Sequence, residues 1–92
     1  MIPVIACTEH RGVFFGYVQE SALEPGWRDR EVTLKDARMA IYWGTTKGVM
    51  ELAETGPTSS SKISAKADIE LAKLTAFFRV TPEAEAKWKG AK

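Results

Sequence analysis

The residue types best suited to chemistry lie between Tyr42 and Lys62, in the segment YWGTTKGVMELAETGPTSSSK. Hydroxyls and lysines flank a short amphipathic stretch there. Free N–H groups at the start of a helix, with threonine hydroxyls and a lysine, can hold an anion, and a neighbouring aromatic ring can stack on a base. The pattern predicts a ligand site made of Tyr42, Trp43, Gly44, Thr45, Thr46, Lys47, Thr58, Ser59, Ser60 and Lys62.

A purely structural interpretation of the same residues competes with the ligand site. Thr45 or Thr46 can cap a helix, and the serines after Gly56 can form a polar turn. Because such caps and turns are common, this is the preferred interpretation. The stretch GPTSSSK is not a P-loop, because Ser61 and Ile63 stand where that motif needs a glycine and a hydroxyl.

No other part of the sequence has the residue spacing of a catalytic or metal centre. His10 is the only histidine, it falls in a polar hairpin loop, and no serine lies in a nucleophile motif. Cys7 is the only cysteine, so no internal disulfide forms and no Cys/His cluster has metal-ligand spacing. We therefore expect no enzyme activity, no catalytic residue, no metal and no cofactor, and a reducing, intracellular compartment.

Length and composition indicate one domain covering residues 1–92. The chain is 45% apolar and 27% charged, which is ordinary for a globular domain. Its net charge of +1 lacks the basic excess of a typical nucleic-acid binder. No apolar run is as long as a membrane span, and the first residues lack the features of a signal peptide. Neither nucleic acid nor a membrane is expected as a partner.

The apolar pattern predicts a hairpin and two irregular strands. Residues 3–18 form two β-rich stretches around a polar loop. In residues 31–43 the apolar positions change parity near Lys35–Asp36, and in residues 68–80 they do so near Ala72–Lys73. Each change implies one extra residue, hence a bulge or bend. The matching offset suggests that the two strands are neighbours.

End signals predict two short helices. Thr45 or Thr46 begins the first, and Gly56 ends it. Thr81 caps the second, which starts at Pro82 and ends at Gly90. The fold class is therefore α+β, a small bent antiparallel sheet of about four strands with two short helices.

Residues 19–30, QESALEPGWRDR, predict an exposed loop with a turn at Pro25-Gly26. Trp27 within it either folds back on the core, which is the preferred interpretation, or is offered to a partner. The candidate partner-binding residues are Trp27, Arg28 and Arg30. A small basic patch beside Trp27 is one interpretation of the local charges, and a solvated mixed-charge surface is the simpler one. The patch would contain Arg28, Arg30, Lys35 and Arg38.

Aromatic and apolar residues occupy both faces of the predicted strands. Both faces of the sheet must then be covered, and two short helices can hardly cover both. A second subunit would supply the missing cover, so the pattern predicts a homo-oligomer.

Three stretches resemble a family of small proteins found in bacteriophages and prophage regions. They are CTEHRGVFFGYV, TLKDARMAIYWGTTKGVMELAETGP and LTAFFRVTPEAEAKW, which together cover most of the chain from Cys7 to Trp88. The family is a domain of unknown function, so the resemblance implies no catalytic residues. It implies a setting, a phage accessory protein in the bacterial host cytoplasm.

These observations predict a non-catalytic binding protein that blocks or sequesters a host target. The target is either a host protein, such as a defence component, or a small anionic nucleotide signal. The alternatives are a single-stranded nucleic-acid-binding module, against which the near-neutral charge argues, and a structural phage protein.

Overall fold

The computed structural model describes residues 1–9, 12–42, 49–58 and 61–91. Six strands and two helices form in these residues. The strands are β1 (Ile2–Thr8), β2 (Val13–Val18), β3 (Val32–Tyr42), β4 (Lys62–Ile63), β5 (Ala67–Leu71) and β6 (Leu74–Arg79). The helices are α1 (Val49–Glu54) and α2 (Pro82–Gly90).

The first three strands form an antiparallel meander. β1 pairs with β2, with Ile5 opposite Phe15, and β2 pairs with β3, with Phe14 opposite Met39. The predicted hairpin over residues 3–18 is therefore confirmed. Its loop residues His10 and Arg11 lie outside the described part of the chain.

The segment that forms β5 and β6 connects the two edges of this meander. β5 pairs with β3, β6 pairs with β1, and only Ala72 and Lys73 separate them. Both are antiparallel to strands that run in the same direction, so β5 and β6 continue one path instead of forming a hairpin. The sheet therefore curls, as in a small barrel, so that the β5–β6 segment borders both β1 and β3 on the side away from β2.

The two predicted bulges are confirmed. Asp36 has φ of 49° and Lys73 has φ of 55°, which are left-handed values that bend a strand. The bulge in β3 returns Ala37 to the face that carries Leu34, so both are buried in one cluster. The predicted neighbourhood is also confirmed, because β3 pairs with β5 through Leu34 and Ile69.

The bulge at Asp36 is anchored from the neighbouring strand. The backbone N–H of Asp36 donates to Asp68 Oδ1 at 2.9 Å, and Lys35 Nζ lies 3.3 Å from Asp68 Oδ2. The backbone hydrogen bond and the lysine lower the pKa of the Asp68 carboxyl. Asp68 thus fixes the bend in β3 by contacts that favour its ionised form.

One face of the sheet is covered by both helices. Trp88 of α2 is fully buried, and its ring stacks on Phe15 with the ring centroids 5.2 Å apart. Its indole N–H donates to the Leu52 carbonyl of α1 at 3.0 Å, which joins the two helices. Ala84, one turn before Trp88, is also fully buried, so the two residues lie on the face of α2 that packs on the sheet.

Sequence signals at the helix ends hold where they are described. The Thr81 hydroxyl accepts from the Ala84 N–H at 3.1 Å, and Pro82 follows at the first helical position. Gly56 has φ of 88° shortly after α1 ends. The predicted start of α1 at Thr45 or Thr46 lies outside the described residues.

The opposite face is covered by the curled sheet and by residues 19–30. This segment forms two 3-10 turns, Glu20–Leu23 and Trp27–Asp29, where an exposed loop is predicted. Trp27 is partly buried against the cluster that contains Leu34, so the fold-back interpretation is confirmed. The chain itself thus covers the second face, which removes the argument for a second subunit. The homo-oligomer stays a prediction.

The α+β class fits, but the predicted count of about four strands is wrong, because the described residues form a sheet of six. The bend at Lys73 divides one predicted strand into β5 and β6. The two-residue β4 lies at the end of the serine-rich turn and is too short to give an alternating pattern. Within the described residues, neither helix has the length and apolar content that crossing a membrane requires.

Candidate functional site

A groove of about 440 Å³ lies between the serine-rich turn and the end of α2. Gly56 lets the turn approach the helix, because a Cβ at this position would lie 2.8 Å from Lys87 Cβ. Its positive φ also favours glycine. We call this pocket the hydroxyl groove. Its lining residues are Pro57, Thr58, Ser61, Ile63, Lys87, Gly90 and Ala91.

Two hydroxyl residues form the polar wall of the hydroxyl groove. The Thr58 N–H donates to Ser61 Oγ at 3.2 Å, and the Ser61 N–H donates to the Thr58 carbonyl at 3.0 Å. The turn is therefore held by its own hydrogen bonds. Lys87 on α2 brings a positive charge to the groove.

The structure brings together only part of the predicted ligand set. Thr58 lines the hydroxyl groove, but Lys62 is exposed and its neighbour Ile63 is the residue that enters the groove. Because successive strand residues point to opposite faces, Lys62 points away from it. The Tyr42 backbone belongs to β3. The predicted residues Trp43, Gly44, Thr45, Thr46, Lys47, Ser59 and Ser60 lie outside the described part of the chain, and the Tyr42 side chain is not described either.

The predicted partner-binding tryptophan belongs to a second surface. The Trp27 ring meets Phe77 of β6 edge-on, with the ring centroids 4.9 Å apart. The Arg28 guanidinium carbon lies 4.5 Å from the Trp27 ring centroid, in cation–π contact. Trp27 is thus held between a strand and an arginine while part of its surface stays exposed. We call Trp27, Arg28 and Phe77 the aromatic–arginine cluster.

Arg28 of this cluster and the nearby Arg79 form no ion pair with a described residue. The ion pairs among the described residues are Lys35–Asp68 and Lys89–Glu85, so neither Arg28 nor Arg79 takes part in one. Arg79 is exposed and lies two residues after Phe77, on the same face of β6. Arg30 is turned to its own loop, where its side chain donates to the Glu24 carbonyl at 3.2 Å.

Arg38 does not belong to the predicted basic patch. It is buried, and its guanidinium donates to the carbonyls of Ser64 at 2.9 Å and Trp88 at 2.7 Å. The charge thereby stabilises the carbonyl end of α2. The change of parity at the Asp36 bulge turns the Arg38 side chain toward the helices. The linear order of charges in the sequence does not show on which face of the strand each side chain lies.

Two titratable groups beside the helices are structural. Burial, and then a hydrogen bond that Tyr17 donates to Glu85 Oε2 at 2.7 Å, raise the pKa of the Tyr17 phenol well above its usual range. Burial also raises the pKa of the Cys7 thiol, which lowers its reactivity at neutral pH. Among the described residues, no three His, Cys, Asp or Glu side chains come together as metal ligands.

Sequence reasoning missed several residues of both surfaces. Lys87 of α2 and Ala91, just after α2, reach the hydroxyl groove although they are distant in sequence from the serine-rich turn. Phe77 and Arg79 join the Trp27 surface from β6. The only sequence signal was Gly56, since a glycine after a helix both ends it and permits close approach.

The chain belongs to a family described as a domain of unknown function, DUF6948, which matches residues 1–88. The match includes the aromatic–arginine cluster and most of the hydroxyl groove. Neither a curated protein nor a solved structure matches the chain. The description carries no function and no phage association, so both belong to the proposals that follow.

Proposed function

We propose that this protein is a non-catalytic binding protein that blocks a target protein by occupying its surface. The observation that supports the proposal is the aromatic–arginine cluster. Tryptophan and arginine are enriched among the residues that dominate binding energy at protein interfaces. Here Trp27 is held in place by Phe77, and Arg28 stands on its ring without an ion pair in the described part of the chain.

Rigid placement makes such a surface effective. A tryptophan that already packs on Phe77 loses little side-chain entropy when a partner covers it. The Arg28 guanidinium keeps its hydrogen-bond donors available for a carboxylate of the partner while it contacts the ring. Binding would therefore bury an anchor that is formed before the partner arrives.

The setting we propose is that of a phage accessory protein in a bacterial host cytoplasm. The target is then a host protein, and a component of a host defence system is the specific candidate. Blocking needs only a stable complex and no chemistry, which suits a single small domain. This setting rests on the sequence resemblance to phage and prophage proteins and not on the geometry.

A small anionic ligand, such as a nucleotide signal, is the second candidate target. The hydroxyl groove favours it, because Thr58, Ser61 and Lys87 give it a polar wall and a positive charge. Its volume of about 440 Å³ lies within the range of small-molecule sites. Sequestration of a signal would then replace the blocking of a protein.

The single-stranded nucleic-acid alternative loses part of its basis. That reading needs aromatic faces on the surface for bases to stack on. Phe15 and Trp88 are buried against each other, and the Trp27 ring is contacted by Arg28 and Phe77. A structural role in a phage particle stays an alternative that no contact among the described residues favours.

Affinity capture from a bacterial host lysate tests the proposal through charge reversal at Arg28. We expect the unmodified protein to enrich a host protein, and Arg28→Glu to lose it, because repulsion replaces the attraction at the anchor. Lys66→Glu is the matched control, since Lys66 is also exposed and takes part in no ion pair of the described residues. Equal enrichment by the Arg28→Glu and Lys66→Glu variants would contradict the proposal.

A further inference from the structure

We infer that the outer edge of β6, with which no strand of the described residues pairs, binds an extended segment of the target protein as an added β-strand, and that this segment carries an acidic residue beside an apolar one. The inference rests on the proposed function and names the part of the target that is recognised. Strand addition to a sheet edge gives affinity through backbone hydrogen bonds and specificity through alternate side chains.

The register shows which backbone groups β6 leaves available. Val80 donates its N–H to the Pro3 carbonyl at 3.3 Å, and Phe78 stands opposite Ile5. Because backbone groups of an antiparallel strand point alternately to its two sides, those of Phe77 and Arg79 point away from β1. Within the described residues, β1 is the only strand that pairs with β6.

An apolar groove of about 350 Å³ runs beside this edge. Phe77 and Phe78 line it from the strand, and Met50 lines it from α1 with 56% of its surface exposed. Methionine adapts its shape to different apolar side chains. The groove can therefore receive an apolar side chain from a strand that pairs with Phe77 and Arg79.

Charge complementarity identifies the occupant. On the face of β6 that carries Phe77, Arg79 follows along the strand and Arg28 stands over Trp27, and neither arginine takes part in an ion pair of the described residues. Glu54 and Arg79 both line the groove, but α1 packs on the face of the sheet that carries Phe78. A carboxylate of the added strand on the Phe77 face would meet both arginines. A second copy of this chain would present Arg79 itself, so a partner with an acidic segment fits better.

A peptide titration followed by amide NMR tests the inference. The probe is a synthetic peptide of alternating valine and glutamate, and the control is the same peptide with lysine for glutamate. We expect the glutamate peptide to shift the amide signals of Phe77 and Arg79, and the lysine peptide to bind about threefold or more weakly. Arg79→Pro removes the outward N–H together with the arginine charge and breaks no bond to β1, and edge strands tolerate proline. This variant should bind the glutamate peptide about five- to tenfold more weakly than the unmodified protein does.

Three results would overturn the inference. The first is no shift at Phe77 and Arg79 with the glutamate peptide, and the second is equal affinity for Arg79→Pro. The third is a change in the amide chemical shifts of Phe77 and Arg79 when the protein is diluted without peptide. Such a change would show that this edge pairs with a second copy of the chain. If capture of a host protein is lost with Arg28→Glu but kept with Arg79→Pro, the proposed function stands and the edge inference fails. If the Arg28→Glu variant also captures the host protein, the proposed function fails.

Discussion

At the scale of single residues, buried polar groups connect elements that lie far apart in the sequence. Arg38 of β3 reaches the Trp88 carbonyl of α2, and Trp88 in turn reaches the Leu52 carbonyl of α1. Each bond gives a carbonyl at a helix end a side-chain donor inside the fold. Three elements are therefore held by two side chains.

Arg38→Met should lower the free energy of unfolding by about 2–3 kcal/mol, because two carbonyls lose charged hydrogen bonds inside the fold. Urea denaturation measures the change. Arg30→Met is the control, since Arg30 is exposed and should change the stability by less than about 0.5 kcal/mol. Equal effects at the two positions would show that Arg38 is not a structural charge.

Tyr17→Phe should make the stability less sensitive to alkaline pH. The pKa of Tyr17 is higher in the folded than in the unfolded chain, so the folded state favours the neutral phenol. This contribution is fully present below the unfolded pKa of about 10 and is lost as the pH rises from there through the folded pKa. Unfolding midpoints of both proteins should therefore converge as the pH is raised above about 10. Parallel curves would show that Tyr17 titrates normally.

At the scale of elements, the two bulges shape the sheet. Asp36 and Lys73 both adopt positive φ, and β5 and β6 can reach opposite edges of the meander only because the chain bends at Lys73. The extra residue at each bend keeps apolar side chains on the inner face before and after it.

Lys73→Gly should raise the free energy of unfolding by about 0.5–1 kcal/mol, because glycine adopts the left-handed conformation without strain. Ala72→Gly is the matched control, because Ala72 is the exposed neighbouring residue and its φ is not positive. It should lower the free energy of unfolding by about 0.5–1 kcal/mol, because glycine adds backbone freedom there without relieving strain. Urea titration of both variants gives the comparison. Destabilisation by Lys73→Gly would argue against the bend.

These elements also show how far the sequence leads. A change of parity within one strand is a local signal, so both bulges and the pairing of their strands were predictable. β4 has two residues and no period to detect. The surfaces depend on contacts between distant residues, such as Trp27 with Phe77 or Gly56 with Lys87, and no local pattern encodes such contacts.

At the scale of the whole molecule, one short chain covers both faces of its sheet and still exposes the surface that we propose binds a partner. The helices cover one face, and the curled sheet with residues 19–30 covers the other. The aromatic–arginine cluster and the outer edge of β6 lie next to each other, because Phe77 belongs to both. This arrangement suits a partner that covers Trp27 and continues along the strand.

Native mass spectrometry of the protein purified gently from a bacterial host tests the central claim most directly. It measures the subunit number, any bound protein and any retained small ligand in one spectrum. We predict a complex of this chain with a host protein, and its absence from the Arg28→Glu variant while Lys66→Glu retains it. The mass of the chain without a bound protein, alone or with a nucleotide that denaturation releases, would contradict a protein target, and the nucleotide would move the function to the hydroxyl groove.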